Sequence, residues 1–112
     1  MKRTWRVGAT WPYIESTLLH ADGTPMILTD ATVAFTMRRL AAAGTGAVKV
    51  NGQPGTVVGP TAGEVRYAQS AADMDTPGLY HGQWKVTETS GLISYWPVNE
   101  VFEIEIIERE DS

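Results

Sequence analysis

The chain has 112 residues, with nine lysines and arginines, thirteen acidic residues, no cysteine and a net charge of −4. That length fits one domain, which buries roughly 65% of its unfolded surface and holds a core without covalent staples. The composition excludes disulfides and thiolate metal sites, the charge argues against nucleic acid as a partner, and no apolar run reaches the roughly 20 residues that span a bilayer.

The first six residues carry Lys2, Arg3 and Arg6 and no acid. No apolar signal core follows them, so the product is expected to be made in the cytoplasm and not secreted by that route. Trp5-Arg6-Val7 can form a short strand. Gly8-Ala9-Thr10-Trp11-Pro12 reads as a bend, because Pro12 pushes Trp11 out of the helical region. Tyr13 to His20 is a strand candidate rich in Thr, Ile, Leu and Tyr. Asp22-Gly23 marks a hairpin turn, and Pro25 to Leu28 continues as an extended piece.

Thr32 to Arg39 alternates, with Val33, Phe35 and Met37 facing in. Leu40 to Gly46 reads as a small-residue surface loop, and its three alanines could form at most one helical turn before Gly44 and Gly46 stop it. Two short strands follow, Ala47–Asn51 and Gly55–Val58, joined by Gly52-Gln53-Pro54. Gly59 to Gly63 is a breaker cluster. Glu64 to Ala68 is a strand with Val65 and Tyr67 on one face, and Gln69 to Asp75 is a polar connection.

Asp75-Thr76-Pro77-Gly78 then turns the chain into a strand that places Tyr80, Gly82, Trp84 and Val86 on one face and Leu79, His81, Gln83, Lys85 and Thr87 on the other. Trp84 is expected at the centre of the core. Ser90-Gly91 turns back into Leu92–Trp96, Pro97-Val98-Asn99 interrupts, and Val101 to Ile107 closes the chain with Phe102, Ile104 and Ile106 inward. Residues 100–112 carry a net charge of −5. The basic start and acidic end are either two solvated termini or a basic arm that docks on an acidic surface of a neighbouring subunit.

About seven to nine short strands with turn signals every 8–12 residues predict an all-β antiparallel sandwich. Thr76-Pro77-Gly78-Leu79-Tyr80 resembles the tyrosine corner of immunoglobulin-like folds, which points to an Ig-like topology without the cysteine pair. The expected division is an N-terminal arm over 1–10, one sandwich domain over 11–108 and a tail over 109–112.

Catalytic chemistry finds little purchase. The two histidines, His20 and His81, lie far apart in sequence and read as surface residues, and no HExxH, CxxC, phosphate loop or GxSxG occurs. Asp73 and Asp75 are explained by turn capping as well as by a cation, since the closing Glu of a calcium loop is missing. Glu103 and Glu105 sit about 7 Å apart on the wet face of a strand. No cofactor and no enzymatic activity are expected. The tryptophans left over, Trp5, Trp11 and Trp96, together with Arg6, are the candidate partner contacts.

In order and spacing the motifs resemble the N-terminal domain family of phage baseplate upper proteins. The family's Gly-Asp-Thr-x-Pro bend is matched by Gly8-Ala9-Thr10-Trp11-Pro12, with Ala9 departing from the usual Asp. Its Asp-Gly-x-Pro turn is matched by Asp22 to Pro25, and its Leu-Thr-Gly-Ala-x-Val-x-Phe-x-Met-Arg strand by Leu28 to Arg38. Its Gly-x-Val-x-Tyr strand is matched by Gly63 to Tyr67, and its Asp-Thr-x-x-Pro-Gly-x-Tyr-x-x-x-Trp-x-Val strand by Asp73 to Val86, with Asp75-Thr76-Pro77-Gly78 slightly compressed. Its Tyr/Phe-Pro segment before a final strand is matched by Tyr95-Trp96-Pro97 and Val101–Ile107. The resemblance implies a structural virion protein of a tailed bacteriophage, in the tail, baseplate or head–neck region, that assembles with other virion proteins or with copies of itself, away from nucleic acid and membrane. An arm from Met1 to Thr10 could reach up to ~33–36 Å onto a neighbour. The alternative is a carbohydrate-binding or adhesion module that uses the exposed aromatics, Trp11 and Trp96 foremost.

Overall fold

The computed structural model describes residues 2–41, 44–97 and 101–110. Among them nine strands form two sheets: β1 (Lys2–Arg6), β2 (Ile14–Thr17), β3 (Thr32–Ala41), β4 (Gly44–Pro54), β5 (Thr56–Gly59), β6 (Glu64–Tyr67), β7 (Gly78–Thr87), β8 (Ile93–Trp96) and β9 (Phe102–Ile107). The larger sheet runs β1-β9-β7-β3-β4 with β8 also on β7, and the smaller runs β2-β6-β5. The two sheets enclose one apolar core, so the expected all-β, two-layer architecture is present.

Strand β7 holds the larger sheet together. It pairs with β3 along its length, from Arg39↔Tyr80 to Thr32↔Thr87. On its other edge it pairs first with β9, from Gly78↔Ile106 to Gly82↔Phe102, and then with β8, from Trp84↔Trp96 to Thr87↔Ile93. The predicted alternation is observed: Tyr80, Gly82, Trp84 and Val86 are all buried. Phe35, Trp84 and Trp96 therefore form an inward row across β3, β7 and β8, with the Phe35 and Trp84 rings 4.8 Å apart. Trp84 also spans the layers, its Nε1–H donating to Ser16 Oγ of β2 at 3.0 Å. The Tyr80 hydroxyl donates to the Thr76 carbonyl at 2.7 Å and ties the turn to the strand it launches.

Two sequence expectations are corrected. The small-residue stretch is not a loop throughout: Leu40 pairs with Thr45 and Ala41 with Gly44, continuing the β3–β4 hairpin. Ala42 and Ala43, where a helical turn was considered, lie outside the described residues. The Gly52 turn is instead a bulge within β4. Gly52 takes φ 61°, a left-handed geometry open to glycine, and its N–H reaches Thr36 Oγ1 at 3.1 Å. The short strand expected at Trp5-Arg6-Val7 is present as β1, over Lys2–Arg6. β1 lies parallel to β9, from Lys2↔Glu103 to Arg6↔Ile107, because Trp5 has an inward position to fill.

The polar connection also does more than link strands. It contains one 3₁₀ turn, Ala72–Met74, which buries Met74, and it buries Gln69. Gln69 Oε1 accepts from the Ile14 N–H at 3.1 Å, and Nε2 donates to the carbonyls of Pro12 at 2.8 Å and Ala9 at 3.3 Å. The amide thus satisfies backbone groups that no strand pairs. Gln69→Leu keeps the volume and orphans the Ile14 donor, so a loss of about 1–3 kcal/mol is expected in denaturant unfolding. An unchanged midpoint would show that these bonds are dispensable.

Candidate functional site

The candidate contacts divide sharply by exposure. Trp5 is 4% exposed and Trp96 3%, whereas Trp11 is 71% exposed. Trp5 and Trp96 face the core because strand alternation turns them inward; Trp5 Nε1–H donates to the Pro12 carbonyl at 2.8 Å and Trp96 Nε1–H to Ser94 Oγ at 2.9 Å. Neither offers its ring to a partner in this conformation. Arg6 is exposed and held within the chain, bonded to the Glu108 carbonyl at 2.7 Å and 3.6 Å from Glu110 Oε1. Lys2 lies 3.6 Å from Glu105 in the same ladder. The basic start therefore meets the acidic end of its own chain, through surface pairs worth roughly 0–1 kcal/mol each.

Trp11 is presented rather than loosely attached. The bend that carries it is pinned at the carbonyls of Ala9 and Pro12 by buried Gln69 and Trp5. Its ring stands edge-on to Tyr13 at 5.0 Å, and the Arg66 guanidinium lies 5.0 Å from the Tyr13 ring centre. The outer face of the smaller sheet continues from there through Glu15, which sits opposite Arg66 in the β2–β6 ladder. Beside it opens a groove of about 430 Å³, lined by Arg3, Glu15, Thr17, Leu19, Val58 and Glu64 above the backbone of β2 and β6. A second groove, of about 270 Å³, lies on the larger sheet where β7 exchanges β9 for β8, and includes Thr36, Arg38, His81, Gln83 and Pro97.

The titratable groups are mostly spent on structure. His20 packs edge-on to Trp96 at 5.2 Å, on the inner side of the larger sheet, whereas His81 lines the outer groove, so the histidines are not brought together. Asp73 accepts from the Tyr67 hydroxyl at 2.7 Å and the Ser70 N–H at 3.0 Å. Asp75 binds Lys49 and accepts from the Thr76 hydroxyl; the Lys49 bond first, then Thr76, holds its carboxyl below the usual carboxylate range. Among the described residues no group of three His, Asp or Glu converges to hold a metal ion.

Burial, then the bond to Asp73, pushes the Tyr67 hydroxyl well above its ordinary range, and burial raises Tyr80 as well. An acid whose folded pKa is raised stabilises the fold below its unfolded pKa, about 10 for tyrosine, and loses that contribution as pH rises toward the folded value. Stability is therefore expected to fall above about pH 10, and Tyr67→Phe should flatten that alkaline slope. A slope unchanged in the variant would remove Tyr67 from the account.

No protein-family model matches the chain, and no curated protein matches it. The likeness drawn from its turn and strand motifs therefore rests on those motifs alone. Sequence reasoning missed Gln69, the Arg66–Tyr13 stack and the groove beside them. The signal available was the period-two series Tyr13, Glu15 and Thr17, which sets mixed polar and aromatic groups on one side of a strand.

Proposed function

We propose that the chain is a non-enzymatic structural protein of a tailed-phage virion that works through contacts with other virion chains or further copies of itself. The motif order described above supports this reading, and so does an Ig-like interpretation of the sandwich. In that interpretation β9-β7-β3-β4 stand as strands G, F, C and C′ and β2-β6-β5 as B, E and D, with the Tyr80–Thr76 bond as the tyrosine corner. Gly82 then occupies the place two residues after the tyrosine where antibody domains carry a cysteine.

The observation that carries the assembly role is β8. Among the described residues it pairs only with β7, which leaves its other edge open. Leu92, Ile93 and Tyr95 are 66, 51 and 52% exposed along it, with no charged residue from Gly91 to Trp96. Edge strands are commonly guarded by charge, proline, a bulge or short length; β8 is short and ends at Pro97, but it carries no charge, and its exposed apolar side chains suit a surface of another chain. The test is mass spectrometry of purified virions from a phage or prophage that encodes the chain. The protein should be present as a stoichiometric component, and an Ile93→Lys/Tyr95→Lys variant should fold yet fail to incorporate. Its absence from virions would sink the reading.

A further inference from the structure

We infer that the outer face of the smaller sheet, from Trp11 along β2, is a binding surface for a neutral oligosaccharide. This goes beyond the assembly role, which was placed on the opposite sheet.

Three observations converge. First, Trp11 is the one described tryptophan whose ring is largely in solvent, and its backbone is fixed on both sides by buried side chains. An aromatic anchor held in place before binding loses little entropy on contact. Second, a groove of about 430 Å³ that begins at Glu15, farther along the same face from Trp11 and Tyr13, lies in the size range of small-ligand sites, roughly 300–1,000 Å³. It combines apolar walls, Leu19 and Val58, with the acceptors Glu15 and Glu64, the hydroxyl of Thr17 and the donor Arg3. Sugars present the matching chemistry, with apolar C–H faces that stack on rings and hydroxyls that both donate and accept. Third, the charges of the face are mixed: Arg3, Glu15 and Glu64 line the groove, and Arg66, over the Tyr13 ring, stands opposite Glu15. An anionic ligand would meet two carboxylates and a cationic one two guanidiniums, so the surface discriminates in favour of an uncharged ligand. Tyr13 to Leu19 spans about 20 Å at strand rise, which suits several linked sugars rather than one.

Trp5, Trp84 and Trp96 are buried, so a change in tryptophan emission on binding reports chiefly on Trp11. The full chain would be applied to an array of neutral and charged glycans. Neutral oligosaccharides retained there would then be titrated against wild type, Trp11→Ala and Glu15→Gln while emission is followed. Retention of a neutral oligosaccharide is expected, with an emission change and affinity reduced roughly tenfold or more in Trp11→Ala and reduced in Glu15→Gln. Both variants alter exposed side chains and should melt with wild type. Retention of charged glycans alone, retention of none, or affinity unaffected by either substitution would overturn the inference.

Discussion

Trp84→Ala is expected to destabilise the protein by about 3–5 kcal/mol, the range for deleting a fully buried large aromatic. The residue is 0% exposed and has more than one role in the core. Its ring lies 4.8 Å from that of Phe35, faces Trp96 across the β7–β8 ladder and donates to Ser16 in the opposite sheet. It also closes over Gly55, where the chain leaves the larger sheet for the smaller; a Cβ there would fall 2.9 Å from the Trp84 ring. Alanine therefore removes the filler at the crossing as well as an inter-sheet hydrogen bond. Domains of this size are typically stable by ~5–15 kcal/mol, so the variant should populate unfolded chain at moderate denaturant. Guanidinium titration followed by far-ultraviolet circular dichroism measures the loss. Coincident curves for variant and wild type would show that Trp84 does not organise the core.

Gly82→Val should produce a comparable failure for the opposite reason. A Cβ at Gly82 would sit 2.9 Å from Phe102 Cδ2, 3.1 Å from Phe35 Cε1 and 3.2 Å from Ile104 Cδ1. All three neighbours are buried and come from both strands flanking β7, so none has open space to retreat into. Overpacking of this kind costs about 1–3 kcal/mol and can exceed it when several rings must move together. Gly82→Ala should show the same direction with a smaller loss. The melting temperature decides the matter, and a Gly82→Val protein that melts with wild type would mean the Phe35–Phe102 packing is soft.

The two substitutions bear on different amounts of sequence information. Alternation alone placed Trp84 inside, because a period-two pattern in a strand bounded by Pro77-Gly78 leaves two faces to choose between and one of them is polar. The reason for glycine at position 82 was not legible, since it depends on Phe35 and Phe102, which are distant in sequence and adjacent only in the sheet. The same limit explains the other misses. A parallel pairing of the first and last strands joins segments about a hundred residues apart, so the sequence did not show what the strand around Trp5 pairs with. Gln69 looked like one polar linker residue among several, because its partners are backbone groups of Ala9, Pro12 and Ile14. Trp5, Trp11 and Trp96 were indistinguishable as candidate contacts, since exposure is settled by which tryptophan the layers enclose. The groove that begins at Glu15 draws on β1, β2, β5 and β6 and has no continuous stretch to represent it.

The parallel ladder between β1 and β9 also sets how the domain would carry load. Both strands run the same way, with Lys2 beside Glu103 and Arg6 beside Ile107. Tension applied upstream of β1 and downstream of β9 drags the two strands past each other along their common axis. The cross-strand bonds then resist in shear, all at once, instead of peeling open one after another from an end. A domain strung between two attachments would for that reason hold until the seam where its two terminal strands meet gives way, because the strands behind that seam carry no load before then.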